Sequence, residues 1–355
     1  MLHKVSYSLQ AARGIAASMV VACHLLPIQE KYVARHVIPS VFWFGQAGVD
    51  VFFVVSGFVM AMTTDSVKRG IGTSLEFIWR RLIRILPPYW FYSLLLLPVF
   101  LVAPQLINSA QGNHIDLFRS FLLLPSETLP LLTVGWTLVF EMWFYLVFAA
   151  LLVLPRRIQP IALAIWAATL VSLSLAEAAA TSPAAKLVQS PFALEFMAGC
   201  AGYFLSKRCN ALSARTLILI GVTGFVSSLA IQPLLIDSIS LSRALLLSAS
   251  ISLALAGAVA LEKAQGLLRY GALRWAGDIS YSVYLCHVLV LSLVGRIWAA
   301  IGGGITSPWA ICFFWIAAVG SVVGVGAASF YGIERPCIAL LKRRRVASLP
   351  LQAGA

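Results

Sequence analysis

The stretch 40–62 reads SVFWFGQAGVDVFFVVSGFVMAM and carries one charged residue, Asp50. An α-helix needs about 20 predominantly apolar residues to cross a bilayer, and this stretch supplies 23. The rest of the 355-residue chain is similar, with 60% hydrophobic residues, 11% charged residues and a mean hydropathy of +0.91. Because soluble domains are about a quarter charged, we predict an all-α, polytopic membrane protein.

Apolar stretches with few charges recur along the chain, and we predict about ten transmembrane helices. They cover residues 12–29, 40–62, 87–107, 131–154, 158–176, 190–206, 214–236, 242–262, 278–298 and 306–333. We therefore expect one membrane-embedded domain over residues 1–345 and a short, flexible cytoplasmic tail over residues 346–355. The six cysteines are scattered and no His/Cys spacing is typical of zinc, so we expect no metal.

The basic residues predict the orientation, because Lys and Arg are enriched in cytoplasmic loops. With both termini in the cytoplasm, 20 of the 26 basic residues lie on the cytoplasmic side of the ten helices. The net charge of +13 is then explained by topology and by anionic lipid headgroups. We expect no nucleic-acid partner, because the charges lie on separate loops.

Four ionisable residues fall inside predicted helices, where charges are costly and usually functional. Counted at ~1.5 Å per residue, His24, Asp50, Glu141 and His287 all lie near the middle of the membrane. Each alone could be a hydrogen-bonded contact between helices. Together they indicate a polar site, which is either catalytic or the proton relay of a transporter or flippase of lipid-linked sugars.

The segment 64–86 ends in a run of arginines before the third predicted helix. Arg81 and Arg84 share one helical face, and Arg80 and Arg84 are spaced i, i+4. We predict an amphipathic segment on the cytoplasmic surface of the membrane, which the proline pair 87–88 ends. Its arginines either anchor the segment to the membrane or bind phosphate through their guanidinium groups.

Seven short motifs follow one another along nearly the whole chain. They are AARGIAASMVVACH (11–24), GVDVFFVVSGF (48–58), FIWRRLIRILPPYW (77–90), GWTLVFEMWFY (135–145), FMAG (196–199), WAGDISYSVYLCH (275–287) and YGIERP (331–336). In this order they resemble the acyltransferase 3 family of membrane O-acyltransferases. The resemblance implies a helical bundle in the bacterial cytoplasmic (inner) membrane. It also implies transfer of an acyl group, usually acetyl, from acyl-coenzyme A to a hydroxyl of a cell-surface or lipid-linked saccharide.

The resemblance also implies residues that bind the donor, acetyl-coenzyme A by default. Arg13 and His24 match the essential Arg/His motif of the family, and Arg80, Arg81 and Arg84 match its basic motif. Arg13 lies about three helical turns from His24, so we assign Arg13 and the three arginines of the basic motif to the phosphates of the coenzyme.

We predict that His24 is the general base, since an imidazole with an ordinary pKa of ~6.5 can take the proton of a sugar hydroxyl. Asp50 or Glu141 is expected to orient its ring. A supporting polar site is expected from Ser56, Trp136, Tyr284 and His287. We find no internal repeat of the kind common in transporters, and the resemblance favours the enzyme.

Overall fold

The computed structural model describes residues 6–33, 37–108, 114–176, 179–231, 240–266, 271–302 and 307–348. Within these ranges the chain is helical and contains no β-strand. Its α-helices are α1 (Tyr7–Tyr32), α2 (Ala47–Thr64), α3 (Ile71–Val102), α4 (Gln105–Asn108), α5 (Leu117–Phe121), α6 (Trp136–Val153), α7 (Gln159–Leu175), α8 (Pro183–Val188), α9 (Phe192–Ser206), α10 (Ala211–Ile231), α11 (Leu241–Gln265), α12 (Gly271–Gly302), α13 (Pro308–Ser329) and α14 (Arg335–Ser348). A π-helical turn over Phe330–Glu334 joins α13 to α14.

Eight helical stretches of the described chain are long and apolar enough to cross a membrane. They contain α1, α2, α3, α6, α10, α11, α12 and α13. The other two predicted spans correspond to α7, with 17 residues, and α9, with 15. The predicted all-α membrane bundle is therefore confirmed. Of the predicted tail, the helix α14 includes residues up to Ser348, and 349–355 lie outside the described residues.

The prediction that the proline pair 87–88 ends the amphipathic segment is wrong, because α3 is continuous from Ile71 through Val102. The first half of α3 runs antiparallel to α6, and the Ser74 hydroxyl donates to the Ala149 carbonyl at 2.7 Å. Phe77 packs on two aromatic rings of α6 and is 6% exposed. Part of the apolar surface of this segment is therefore buried in the bundle, while Leu75 and Trp79 are exposed on its outside.

Contacts between loops agree with the predicted up-and-down alternation of the helices. On the side predicted to be cytoplasmic, they join Asp65 to Lys207 (2.7 Å) and Arg274 to Tyr7 (3.3 Å). On the opposite side, they join Lys186 to Glu127 (3.0 Å) and Arg296 to the Leu106 carbonyl (3.1 Å). The contacts group the loops by side, while the identity of the cytoplasmic side stays a prediction.

The central helix α2 packs against α1, α9 and α11. A Cβ atom added at Gly57 would overlap the Phe196 carbonyl of α9, and one added at Gly199 would overlap the Val54 carbonyl of α2. Small residues allow such close backbone approach in membrane helices. This crossing fixes the helix that carries Asp50 and Ser56.

Candidate active site

A cavity of about 90 Å³ lies between α1, α2, α3, α6 and α12. Besides Thr137, its polar lining consists of Arg13, Ser56, Arg81, Arg84, Glu141, Tyr145, Tyr281 and Tyr284. Six of these eight residues are among those predicted from the sequence. Three guanidinium groups face one carboxylate among the lining residues, so the cavity favours an anionic ligand.

Two of the three arginines of the basic motif on α3 lie in the cavity, and the third lies on the outer surface of the bundle. Arg81 and Arg84 line the cavity, and the guanidinium carbon of Arg81 lies 5.3 Å from the ring centroid of Tyr145. This cation–π contact restrains the Arg81 side chain. Arg80 points outward with 71% of its side chain exposed, and its Nε lies 2.6 Å from Oε1 of Glu76. The structure therefore separates Arg80 from the other predicted phosphate ligands.

Glu141 is held in the cavity by two hydroxyl groups. Ser56 Oγ donates to Glu141 Oε1 at 3.2 Å, and the Tyr145 hydroxyl donates to the same oxygen. Thr137 lies one turn earlier on the same face of α6, and its hydroxyl is 2.7 Å from that of Tyr284. The face of α6 that carries Glu141 therefore also contacts Tyr284 of α12, through Thr137.

His24 and His287 meet next to Tyr284, with their ring centroids 4.7 Å apart and their planes at 81°. The Nδ1 atom of His24 is 2.8 Å from the Val20 carbonyl, and that of His287 is 2.7 Å from the Tyr284 carbonyl. A carbonyl oxygen only accepts, so in each neutral ring Nδ1 carries the proton and Nε2 is the basic nitrogen. Both rings therefore have the tautomer that a general base acting through Nε2 requires.

Asp50 is fully buried and forms a bidentate ion pair with Arg243 of α11, at 3.2 Å and 2.7 Å. Glu195 of α9 interacts electrostatically with both residues. Within the described residues, both Glu195 carboxylate oxygens are buried without a hydrogen-bond partner. The hydrogen bond that orients His24 comes from the Val20 carbonyl, and the expected bond to Asp50 or Glu141 is not found in the described chain.

Trp136 begins α6 but does not line the cavity. It lies instead in a surface groove at the opposite face of α6, with Phe140. In the part of the chain that the structure describes, no cluster of three His, Cys, Asp or Glu side chains could hold a metal ion. The polar cavity and the adjacent histidine pair are therefore the candidate active site.

The profile of a family described as "Acyltransferase domain" matches residues 6–327. The chain belongs to this acyltransferase family. The exopolysaccharide production protein ExoZ of Rhizobium meliloti (strain 1021) is 33% identical over 315 residues, which cover 86% of this chain and 93% of that protein. The acyltransferase MdmB of Streptomyces mycarofaciens is 27% identical over 384 aligned positions, covering 97% of this chain and 94% of that protein. No solved structure gives a significant match.

The acyltransferase holds Arg13 through two residues that the sequence analysis did not select. The Arg13 guanidinium donates to Oε1 of Gln10 at 3.3 Å, and the Gln10 amide donates to the Asp278 carboxylate. Gln10 is one turn before Arg13, so the helical spacing was available as a signal. Asp278 is distant in sequence, and only its place in the motif 275–287 pointed to it.

Glu334 was also missing from the predicted site. It is 4% exposed, accepts a hydrogen bond from Ser282 Oγ at 2.7 Å, and interacts electrostatically with Arg13 and Arg84. It ends the π-helical turn 330–334, and such turns are frequent at functional sites. Hydropathy carries no signal for a π-helical turn, so its position was not predictable.

Proposed function

We propose that this acyltransferase moves an acyl group, by default acetyl, from acyl-coenzyme A to a hydroxyl of a saccharide. The observation that carries the proposal is the juxtaposition of three cavity arginines with a histidine pair beside Tyr284, whose ring centroid is 5.6 Å from that of His287. The arginines suit a phosphorylated donor, and the histidines suit activation of a hydroxyl. Family membership supports the enzyme over the transporter.

The donor is inferred from the cations of the cavity. Coenzyme A carries phosphates, and arginine binds phosphate bidentately. Arg13 lies near the start of α1, at the end predicted to face the cytoplasm, and Arg84 is its electrostatic neighbour. The cavity of about 90 Å³ is small, since ligand pockets typically have about 300–1,000 Å³. We therefore expect entry of the pantetheine arm to widen it.

The acceptor is inferred from a relative and from the predicted location. The similar protein of Rhizobium meliloti is named for exopolysaccharide production. We extend that acceptor class to this chain, as a hydroxyl of a surface or lipid-linked saccharide. The product is then an O-acylated sugar and free coenzyme A.

In the proposed step, Nε2 of His24 takes the proton of the sugar hydroxyl while the hydroxyl oxygen attacks the thioester carbonyl. The new C–O bond forms, the C–S bond breaks, and the imidazolium returns the proton to the sulfur. The leaving thiol has a pKa near that of cysteine, ~8.5, so it needs no stronger acid. The Val20 carbonyl fixes the His24 tautomer, a role that a carboxylate has in catalytic triads.

The other predicted residues have supporting roles in this proposal. His287 packs edge-on against His24 and holds its ring. Glu141 and Ser56 lie in the cavity with the arginines, where they orient the donor. Asp50 acts from a distance as a positioning residue, because its partner is Arg243.

Replacing His24 by alanine tests the proposal. A general base contributes about 10²–10⁴-fold to the rate, so the His24→Ala variant should lose activity by that factor while still binding coenzyme A. The assay follows release of free coenzyme A from acetyl-coenzyme A by purified protein, with de-O-acetylated surface oligosaccharides as acceptors. His114→Ala is the matched control, because His114 is exposed in a loop.

Full activity of the His24→Ala variant would exclude His24 as the base. Failure of the unmodified protein to release coenzyme A with any fraction of the oligosaccharides would exclude the proposed donor and acceptor together. Unchanged activity of the His114→Ala variant is needed to attribute the loss to position 24.

A further inference from the structure

A groove of about 470 Å³ lies on the surface of the bundle, and it shares no lining residue with the cavity. Its walls are the segment 124–130, the start of α6, and the segment from Ala180 to Pro191 that includes α8. The ion pair between Lys186 and Glu127 joins the two segments at 3.0 Å. Both segments belong to loops that the basic residues assign to the extracytoplasmic side. The groove is therefore open to the side where a surface saccharide is found.

The lining of the groove combines aromatic rings with polar groups. Trp136 and Phe140 are partly exposed in it, and Ser126, Thr128 and Gln189 add hydroxyl and amide groups. Among the described residues, neither the Trp136 indole N–H nor the Gln189 side-chain amide has a hydrogen-bond partner. A sugar ring offers an apolar C–H face to an aromatic ring, and its hydroxyls need both donors and acceptors. This lining supplies both.

The walls of the groove are also stiff. Four prolines line it, and proline fixes its own φ angle. They are Pro125, Pro130, Pro183 and Pro191. A preformed site loses less conformational entropy on binding than a flexible one. The volume also lies within the range of about 300–1,000 Å³ that is typical of ligand pockets.

The groove lies close to the cavity, on the other face of α6. Trp136 and Phe140 both pack on Phe192, with ring centroids 5.9 Å and 5.3 Å away. Phe192 packs in turn on Phe53 at 5.1 Å, and Phe53 lines the cavity. Two aromatic rings thus separate the groove from the candidate active site. The groove and the cavity therefore share the helix α6 but no lining residue.

We propose that this groove binds the acceptor saccharide, with Trp136 as the platform for a sugar ring and Gln189 as a hydrogen-bonding partner. The inference rests on the proposed function for the identity of the ligand, because it names the acceptor site of that reaction. It gives Trp136 a role in acceptor binding that is separate from the cavity.

Binding of a saccharide to the purified full-length protein tests the inference without acyl transfer. The probe is the oligosaccharide fraction from the host's surface polysaccharide, de-O-acetylated with mild alkali, and calorimetry measures its affinity. Trp136→Ala and Gln189→Ala should each raise the dissociation constant at least about tenfold. Trp309→Ala is the matched control, since Trp309 is 85% exposed and lies outside the groove.

Steady-state kinetics supplies the second readout. Both groove variants should raise the KM for the oligosaccharide at least about tenfold, with an unchanged KM for acetyl-coenzyme A. Thermal unfolding checks that Gln189→Ala, a substitution at a partly exposed position, leaves the fold intact. This variant keeps the test decisive if Trp136→Ala does not fold.

The outcomes separate the inference from the proposed function. Saccharide binding that is lost in the groove variants, in a protein that releases no coenzyme A, would support the groove and exclude the reaction. Acyl transfer with an unchanged acceptor KM in both variants would support the reaction and exclude the groove. A copurified phospholipid that the groove variants release, with no saccharide binding by the unmodified protein, would also overturn the inference.

Discussion

Arg80 and Arg84 lie four residues apart on α3, but only Arg84 lines the cavity. Arg84 is an electrostatic neighbour of Arg13, while Arg80 is paired with Glu76 at the bundle surface. A hydrogen bond from Arg84 to a phosphate of the donor would contribute about 1.5–3 kcal/mol to the binding free energy. The exposed ion pair of Arg80 with Glu76 contributes only about 0–1 kcal/mol to stability. The two arginines should therefore differ sharply in their effect on donor binding.

We expect Arg84→Gln to raise the KM for acetyl-coenzyme A at least about tenfold, since about 1.4 kcal/mol corresponds to a factor of ten. Arg80→Gln is the matched control and should change this KM less than about twofold. Initial rates at a saturating acceptor concentration give both values. An equal rise of this KM in both variants would show that the arginines attract the donor through the net positive charge of the surface and not through contacts in the cavity.

Helical spacing predicted which side chains share a face, but it did not identify their partners. Thr137 and Glu141 are spaced i, i+4 on α6, and both line the cavity. Asp50 was expected beside His24 because the two residues have similar depths in the membrane. Its partner Arg243 is 193 positions away, and depth along a helix does not define the direction in which a side chain points.

At the scale of the elements, a buried ion pair joins α2 to α11. Asp50 is fully buried, Arg243 is 10% exposed at the side chain, and Glu195 of α9 lies beside them. Removing one partner of a buried pair costs about 3–5 kcal/mol. Loss of Arg243 leaves two carboxylates without a cation, whereas loss of Asp50 leaves Arg243 beside Glu195.

Arg243→Gln should therefore lower the stability by about 3–5 kcal/mol, and Asp50→Asn should lower it less. Thermal unfolding of the purified protein in detergent measures both. Lys207→Gln is the control, because the pair of Lys207 with Asp65 is partly exposed, at 48% and 26% of the side chains, and such a pair contributes about 0–1 kcal/mol. A larger loss for Asp50→Asn than for Arg243→Gln would exclude Glu195 as the alternative partner.

The control pair has a defined pH dependence. The hydrogen bond from Lys207 lowers the pKa of Asp65, against a smaller opposite effect of burial. A carboxyl group with a lowered pKa stabilises the folded state above its ordinary pKa, and this contribution is lost as the pH falls through the lowered value. The control is therefore measured near neutral pH, where the pair is formed.

Hydropathy predicted the positions of the long apolar helices, but it did not predict that α3 continues through the proline pair 87–88. A proline pair normally ends a helix, because each proline lacks an amide hydrogen and clashes with the preceding turn. In α3 the residues before the pair are packed along α6, and the Tyr281 hydroxyl donates to the Ile85 carbonyl at 2.9 Å. These tertiary contacts hold α3 against α6 and α12 on the N-terminal side of the proline pair, and a local sequence pattern does not contain them.

At the scale of the whole molecule, the orientation in the membrane is open to a direct test. In a variant without the six native cysteines, single cysteines replace Lys186 and Lys207, whose side chains are 59% and 48% exposed. An impermeant maleimide should label the Lys186→Cys protein in intact cells and leave the Lys207→Cys protein unlabelled. Both should react after permeabilisation. The reverse pattern in intact cells would invert the predicted topology.

Hydropathy and charge predicted the all-helical membrane fold and indicated a polar site, because the bilayer acts on both properties of the chain. They predicted about ten spans, whereas eight helical stretches of the described chain are long and apolar enough to span a membrane. The separation of that site into a cavity, a histidine pair and an ion pair does not follow from them. It depends on the rotation of each helix about its own axis, which packing between helices determines.

The contact of Gly57 and Gly199 with the opposite backbones has a consequence for divergence among related enzymes. Any side chain at either position would force α2 and α9 apart, so this crossing cannot be adjusted by gradual substitution. The groove walls, in contrast, are two loop segments, the short helix α8 and the start of α6, and their side chains can be exchanged without moving α2 or α9. Selection for a different sugar would thus act on the loops, while the crossing keeps the catalytic geometry constant.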